Sequence, residues 1–270
     1  MENIRQAIER AKARMQQPAN AAPEIPSKQG TRGFRGGSER PIEEIQLDLE
    51  HLQSRRVVAH DGQDPRSRPF DILRTEVLQS MDLKDWKILA VTSPTPSCGK
   101  TLTAVNLALS MGRRPERQVL LADLDLRKPQ VAATLGLKAR EGLLGVVAGS
   151  VELDSAIAQV RVGKSRLDVL PTAPAANASD LVDSSALMGV LRDLSLSRRS
   201  QIIILDLPPL LTSHDVISIL PLVDCVLLVG AVGVSKPAEI EECSKHLQAT
   251  EIVRFVLNKA PEATTTYAYY

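Results

Sequence analysis

The stretch that decides the fold is KILAVTSPTPSCGKTLTAVNLALS, residues 87–110. It opens on an apolar, partly β-branched run and ends on apolar side chains at helical spacing; between them a loop closes on Gly99-Lys100-Thr101. Strand, loop and helix in that order present successive backbone N–H groups to phosphate oxygens. In such a loop Lys100 reaches β- and γ-phosphates, and the Thr101 hydroxyl is offered to Mg2+. The sequence therefore predicts an ATP cradle over Thr95, Pro96, Ser97, Cys98, Gly99, Lys100, Thr101 and Leu102, with the helix starting near Thr101. Two positions depart from GxxxxGK[ST]. Pro94 stands where the first glycine is expected and stiffens the loop, and Ser97 replaces a second glycine, where a positive φ would strain it.

The same strand grammar recurs outward from this segment. QVLLAD (118–123), LDVLP (167–171), QIIILD (201–206), CVLLVG (225–230) and IVRFVLN (252–258) are short apolar runs separated by helical or mixed segments. Buried strands alternating with helices specify an α/β fold, a mostly parallel sheet with helices on both faces. The domain is expected over 66–261. Before it, residues 1–40 read as a flexible arm: a thin apolar stripe of Ile4, Ile8, Ala11 and Met15, then a Pro-, Gly- and Ser-rich linker. Apolar positions return at Ile42, Ile45, Leu49 and Leu52, and 41–65 is assigned as a docking segment; 262–270 forms a tail.

Composition excludes several functions. With Lys+Arg at 33 and Asp+Glu at 32, the net charge of +1 argues against gripping a nucleic-acid backbone, and no nucleic-acid partner is expected. Cys98, Cys225 and Cys243 have neither zinc-site nor disulfide-framework spacing, which points to a reducing, cytoplasmic setting. The first 17 residues lack the apolar core of a signal peptide. The greasiest run, 217–232, is interrupted by Pro221 and Asp224 and is too short to cross a bilayer as a helix. None of the four histidines has metal-ligand spacing.

Two further strands end in carboxylates. Asp123, Asp125 and Arg127 alternate beyond QVLLAD and could project to one side if the chain stays extended, and Asp206 closes QIIILD before Pro208 and Pro209. In an open parallel sheet the ligand crevice lies beyond the carboxyl ends of the strands, so Lys100, Asp123, Asp125, Arg127 and Asp206 should meet at one rim. Mg2+ takes oxygen ligands and keeps several waters, so one or two of these carboxylates would complete its shell beside the phosphates.

Taken together, SPTPSCGKT (93–101), DLDLR (123–127) and IIILDLPP (202–209) resemble the bacterial tyrosine kinases of capsule and exopolysaccharide synthesis, in their phosphate loop, second DxDxR motif and Asp-terminated strand. GLLGVVAGS (142–150), NASDLVDSSALM (177–188) and VLNK (256–259) are similar to further family segments, and the resemblance covers about 55–270. It also gives meaning to the chain's only three tyrosines, Tyr267, Tyr269 and Tyr270, which stand in its last four positions. The family carries a C-terminal tyrosine cluster as phosphoacceptor, and an acceptor that must enter a kinase site belongs on a tail rather than in a core.

The resemblance implies an ATP- and Mg2+-dependent protein-tyrosine autokinase acting on a neighbouring copy and regulating polysaccharide polymerisation or export. It assigns Thr101, Asp123 and Asp206 to the metal, leaves open whether Asp123 or Asp125 is the base, and places Asn258 near the nucleotide. It further implies a homo-oligomer, and a membrane-embedded polysaccharide co-polymerase as activator that brings the protein to the inner face of the membrane. Where the family's oligomerisation helix carries ExxRxxR, this chain has Arg68, Asp71 and Arg74. Two other readings share the motifs. One is a partitioning ATPase of the ParA/MinD type, which carries a second lysine near Pro94; the other is a weakly catalytic ATP-binding scaffold.

Overall fold

The computed structural model describes residues 44–138, 140–176, 180–181, 185–197 and 201–261. The expected arm and the three tyrosines lie outside these. In chain order the elements are β1 (Ile45–Gln46), α1 (Leu49–Ser54), α2 (Arg68–Leu83), β2 (Ile88–Thr92), α3 (Lys100–Gly112), β3 (Gln118–Asp123), α4 (Val131–Leu135), α5 (Leu143–Val147), α6 (Leu153–Ala156), β4 (Ala158–Val162), β5 (Ser165–Leu170), α7 (Ser185–Ser197), β6 (Gln201–Asp206), α8 (Asp215–Ile219), β7 (Cys225–Ala231), α9 (Pro237–His246) and β8 (Glu251–Asn258).

Eight strands form one sheet in the order β1-β4-β5-β3-β6-β2-β7-β8. All pairs are parallel except β4 with β5. The pleat explains why the central strands read as unbroken apolar runs. Leu89 and Val91, Val119 and Leu121, and Ile202 and Ile204 face one layer, while Ile88 and Ala90, Leu120 and Ala122, and Ile203 and Leu205 face the other. Helices α2 and α3 cover the first face through Val77, Met81, Ala104, Leu107, Ala108 and Met111. On the second face α7, α8 and α9 supply Leu187, Leu191, Leu194, Val216, Ile219 and Cys243.

Sequence reading overlooked the two strands on the β1 side. β4 alternates buried Ala158, Val160 and Val162 with part-exposed Gln159 and Arg161, and turns through Gly163-Lys164 into β5. This is the period-two signature of a strand on an antiparallel hairpin, not of one inside a parallel sheet. β1 spans only two residues and is fixed by its neighbours: Leu47, Leu52 and Val57 are buried in the same core as α3. Asn106 of α3 holds this segment in place. Its Oδ1 accepts from the backbone N–H groups of Val58 (2.8 Å) and Ala59 (3.0 Å), and its Nδ2 donates to the carbonyls of Leu102 (2.9 Å) and Arg56 (3.3 Å).

Candidate nucleotide and phosphoryl-transfer site

The register between β3 and β6 builds the centre of the site, because Asp123 lies directly opposite Asp206. Both carboxylates end a buried strand, both are fully buried, and both lie on the α3 side of the pleat. The phosphate loop follows β2, the neighbour of β6, and delivers Lys100 and Thr101 to the same level. Thr101 Oγ1 donates to Asp206 Oδ2 at 2.6 Å. Lys100 Nζ lies 2.9 Å from Asp125 Oδ2, 3.4 Å from Asp206 Oδ1 and 3.3 Å from Thr101 Oγ1.

Beyond Asp123 the chain does not stay extended, since β3 ends there and turns. The two aspartates therefore diverge in role. Asp123 accepts from three backbone N–H groups: Asp125 on Oδ1 (3.2 Å), and Gln130 (3.0 Å) and Val131 (2.9 Å) on Oδ2. Asp125 accepts from Lys128 N on Oδ1 and turns Oδ2 to Lys100. Arg127 leads away to Asp215, its Nε 3.3 Å from Asp215 Oδ2.

Three carboxylates against one ammonium leave a desolvated excess of negative charge. Burial and the facing Asp206 push Asp123 up to about 8, despite its backbone hydrogen bonds and Lys100. Burial likewise raises Asp206, against the pull of Lys100 and Thr101. Burial alone would lower the Lys100 ammonium, but Asp206 and Asp125 outweigh it and raise it. Such a cluster fits a divalent cation: the oxygens are hard donors, and the ion would supply the missing charge. Among the described residues no group of three or more His, Cys, Asp or Glu is arranged to hold a metal by itself. A Mg2+ ion here would complete its shell with phosphate oxygens and water.

The loop itself shows how the two departures are accommodated. Ser97 has φ +66° and Gly99 has φ +92°, so the position where sequence pattern expects a glycine does adopt the left-handed conformation. Gly99 caps α3, whose first N–H groups have no intrahelical acceptor and can face an anion. Cys98 is buried, its thiol 3.2 Å from the Thr95 carbonyl and 3.3 Å from Ser235 Oγ. Asn258, at the end of β8, donates from Nδ2 to the Cys98 carbonyl at 2.9 Å, and its Oδ1 accepts from Lys259 N. The loop after β6 lies alongside: Leu207 N donates to Val91 O (2.9 Å), Leu210 N to Ser93 O (2.8 Å), and Thr92 Oγ1 to Pro208 O (2.7 Å).

This arrangement has known counterparts. No family model matches the chain. The putative tyrosine-protein kinase EpsB of Ralstonia nicotianae is 27% identical over 242 residues, covering 85% of this chain and 31% of that protein. The putative tyrosine-protein kinase CapB of Staphylococcus aureus is 28% identical over 211 residues, 76% of this chain and 89% of the relative. The kinase domain of the Escherichia coli tyrosine kinase ETK superposes with a TM-score of 0.69 at 25% identity, covering 85% of this chain and 95% of the domain. The chain is a homologue of the bacterial tyrosine kinases. It spans about a third of the EpsB proteins it matches and most of CapB. The cell-division ATPase MinD of Pyrococcus furiosus shares the P-loop fold at a TM-score of 0.56 and 25% identity, over 66% of this chain and 74% of its own.

Two features of this kinase homologue were not apparent from sequence. Ser235, just after β7, closes on the phosphate loop at the Cys98 thiol, beside Asn258 of β8, which the resemblance had already placed near the nucleotide. On α2, Asp71 of the altered ExxRxxR stretch faces its own chain, accepting from Ser110 Oγ (2.6 Å), from Arg74 (3.1 Å) and from Arg113. Arg68, Ile72 and Leu83 of the same helix are exposed.

Proposed function

We propose that the protein is an ATP-dependent tyrosine autokinase that phosphorylates Tyr267, Tyr269 and Tyr270 of a neighbouring copy. The observation that carries the reading is the meeting of Lys100, Thr101, Asp125 and Asp206 at the strand ends beside an open helix N-terminus. On ATP binding Lys100 leaves the carboxylates for the β- and γ-phosphate oxygens, and the N–H groups of 98–102 cradle the phosphates. Thr101 and Asp206, with Asp123 behind, would hold Mg2+, which neutralises charge developing on the phosphoryl oxygens.

The tyrosine phenol, neutral at pH 7, attacks the γ-phosphorus; the bond from that phosphorus to the β-γ bridging oxygen breaks, and ADP leaves. Asp125 is the better placed base for the phenol proton. Its Oδ2 is released when Lys100 swings to the phosphates, whereas both oxygens of Asp123 are engaged by backbone N–H groups. Phosphoryl transfer depends on positioning and charge rather than protein covalent chemistry, which suits a site built this way.

Oligomerisation brings one copy's tail to the next copy's site, and the exposed side of α2, with Ile72 and Leu83, is a fitting contact. No helix among the described residues is long and apolar enough to cross a membrane. A membrane-embedded co-polymerase would then supply activation and location, tying the kinase to polysaccharide assembly. The test is intact mass and phosphosite mapping after incubation with Mg·ATP and the partner's cytoplasmic end, beside Lys100→Ala. Phosphate on the three tyrosines of wild type alone supports the reading. ATP turnover without tail phosphate would assign a switch ATPase, and ATP binding without turnover a scaffold.

A further inference from the structure

The end of the sheet away from the phosphate loop carries a groove of about 560 Å3, where α3 and β4 finish and β3 and β5 begin. Its walls hold six cations, Arg113, Arg114, Arg117, Arg161, Lys164 and Arg166, against two acids, Glu44 and Asp168. Most of the cations have partners. Arg117 donates to both oxygens of Asp82 (2.9 and 2.7 Å), Arg114 Nη1 stands 3.8 Å from Glu116, and Arg113 is part-buried against Asp71. The carboxylates are nevertheless too few: Glu44 is divided between Arg161 (3.3 Å) and Arg166 (3.6 Å), and Asp71 between Arg113 and Arg74. Asp168 accepts from Gln201 Nε2 at 2.9 Å. Lys164 stands exposed on the β4–β5 turn with no ion-pair partner among the described residues. With Arg74 included, seven cations face the five carboxylates Glu44, Asp71, Asp82, Glu116 and Asp168, an excess of two positive charges.

The outer pairs are also easily exchanged. Arg114 is 56% exposed and Arg166 69%, and exposed ion pairs contribute so little to stability that another anion can replace the carboxylate. The groove stands clear of the nucleotide: β3 begins in its wall at Gln118 and ends in the site at Asp123, a strand length of about 17 Å. The chain enters the described domain at Glu44, itself in the groove wall. Ahead of it, residues 1–40 hold eight basic and four acidic side chains, a net charge of +4, and place the apolar stripe of Ile4, Ile8, Ala11 and Met15 among Arg5, Arg10, Lys12 and Arg14. A small dissolved anion has no use for an apolar stripe. A bilayer surface with anionic headgroups takes both, the cations at its phosphates and the apolar side chains at the acyl boundary.

We propose that this groove docks directly on an anionic lipid surface, with headgroup phosphates accepting from Arg114, Lys164 and Arg166. The nucleotide site, at the opposite ends of the same strands, then stays turned to water and to ATP. The contact requires neither a membrane-embedded partner nor the kinase reading, so its failure and theirs are separate.

The test is flotation of the full chain, without partner or nucleotide, on vesicles of phosphatidylcholine alone and of equal parts phosphatidylcholine and phosphatidylglycerol. Wild type should float with the anionic vesicles only. Raising salt from about 0.1 M to about 1 M, which shortens the screening length from about 10 Å to about 3 Å, should release it. Each basic side chain at such a surface is worth about fivefold in binding, so Lys164→Glu with Arg166→Glu should weaken it about 30-fold or more. The same charge change elsewhere, Lys236→Glu with Lys245→Glu on the exposed side of α9, should stay within about threefold of wild type, since charges beyond a screening length count little. Melting temperature certifies that each variant is folded; should the Glu pair unfold, Lys164→Gln with Arg166→Gln asks the same question. Wild type that ignores anionic vesicles or floats equally with neutral ones overturns the proposal. So does a groove variant that still floats, or an equal loss in the α9 variant. Poly-glutamate or glycerol phosphate that displaces the protein at matched charge would assign the groove to an acidic polypeptide or a soluble phosphate, and would likewise overturn the lipid assignment.

Discussion

Gly99→Ala probes the join between the phosphate loop and the last strand. At φ +92° an L-residue is unfavourable, at a cost of about 1–2 kcal/mol. The new Cβ would also run into Asn258 Nδ2, which must then swing away from the Cys98 carbonyl. That forfeits one hydrogen bond, about 1 kcal/mol net. The sum is about 2–3 kcal/mol for Gly99→Ala and about 1 kcal/mol for Asn258→Ala. In the Asn258→Ala background the clash is gone and only the backbone cost of Gly99→Ala remains, so the double variant should be less destabilised than the two singles added, by about 1 kcal/mol. Urea unfolding followed by fluorescence of Trp86, the only tryptophan, measures all four proteins. Strict additivity, or a Gly99→Ala protein as stable as wild type, would refute the coupling of loop and strand.

Three more expectations rest on the same structure. Between its unfolded value of 3.8 and its folded value of about 8, the Asp123 carboxyl binds more proton in the folded than in the unfolded ligand-free chain, so stability should fall as pH rises through that window. The lowered His60, moved chiefly by burial, acts in the opposite sense below its ordinary 6.5, which makes pH 6.5–8 the clean interval. At no more than about 1.4 kcal/mol per pH unit, the loss is about 2 kcal/mol, or about 4–8 °C in Tm. Asp206→Asn should flatten the slope, and a wild-type Tm that is level or climbing across the interval contradicts the charge assignment. Asn106→Ala strands the buried N–H groups of Val58 and Ala59 and should cost about 2–5 kcal/mol in urea unfolding; a loss under about 1 kcal/mol would mean that the 56–59 segment is held otherwise. Ser97→Gly removes a left-handed serine but loosens the unfolded chain, and these nearly cancel; a stability change above about 1 kcal/mol in either direction would show that the serine side chain has a further role.

Why some of this was legible in sequence follows from the range of the interactions. The phosphate loop is a local device, in which strand, loop and helix are contiguous, so residues 87–110 carry their own fold. Strands that end in Asp expose their function in the same way, because a carboxylate closing an apolar run breaks the burial rule visibly. The demand for a positive φ at Ser97 could be read for a similar reason, since the glycine it replaces belongs to a local pattern. β1 had no comparable signature: its two residues are a strand only because β4 lies beside them.

The harder features are pairings across the sheet. Arg127 and Asp215 are 88 residues apart and meet because β3 and β6 are neighbours, an adjacency that neither strand's sequence encodes. Asp123 becomes proton-binding for the same reason: alone it is a strand-end aspartate, and only the register opposite Asp206 makes it half of a repelling pair. Asn258 and Asp71 extend the argument to roles. The resemblance puts Asn258 near the nucleotide and sets Asp71 in the stretch aligned with the family's oligomerisation helix, and neither expectation names a partner within the chain. In the fold each is turned to its own chain, Asn258 to the Cys98 carbonyl and Asp71 to Ser110, Arg74 and Arg113. A motif position specifies which residue is available; the partner is chosen by strand order and helix docking, and the chemistry follows the partner.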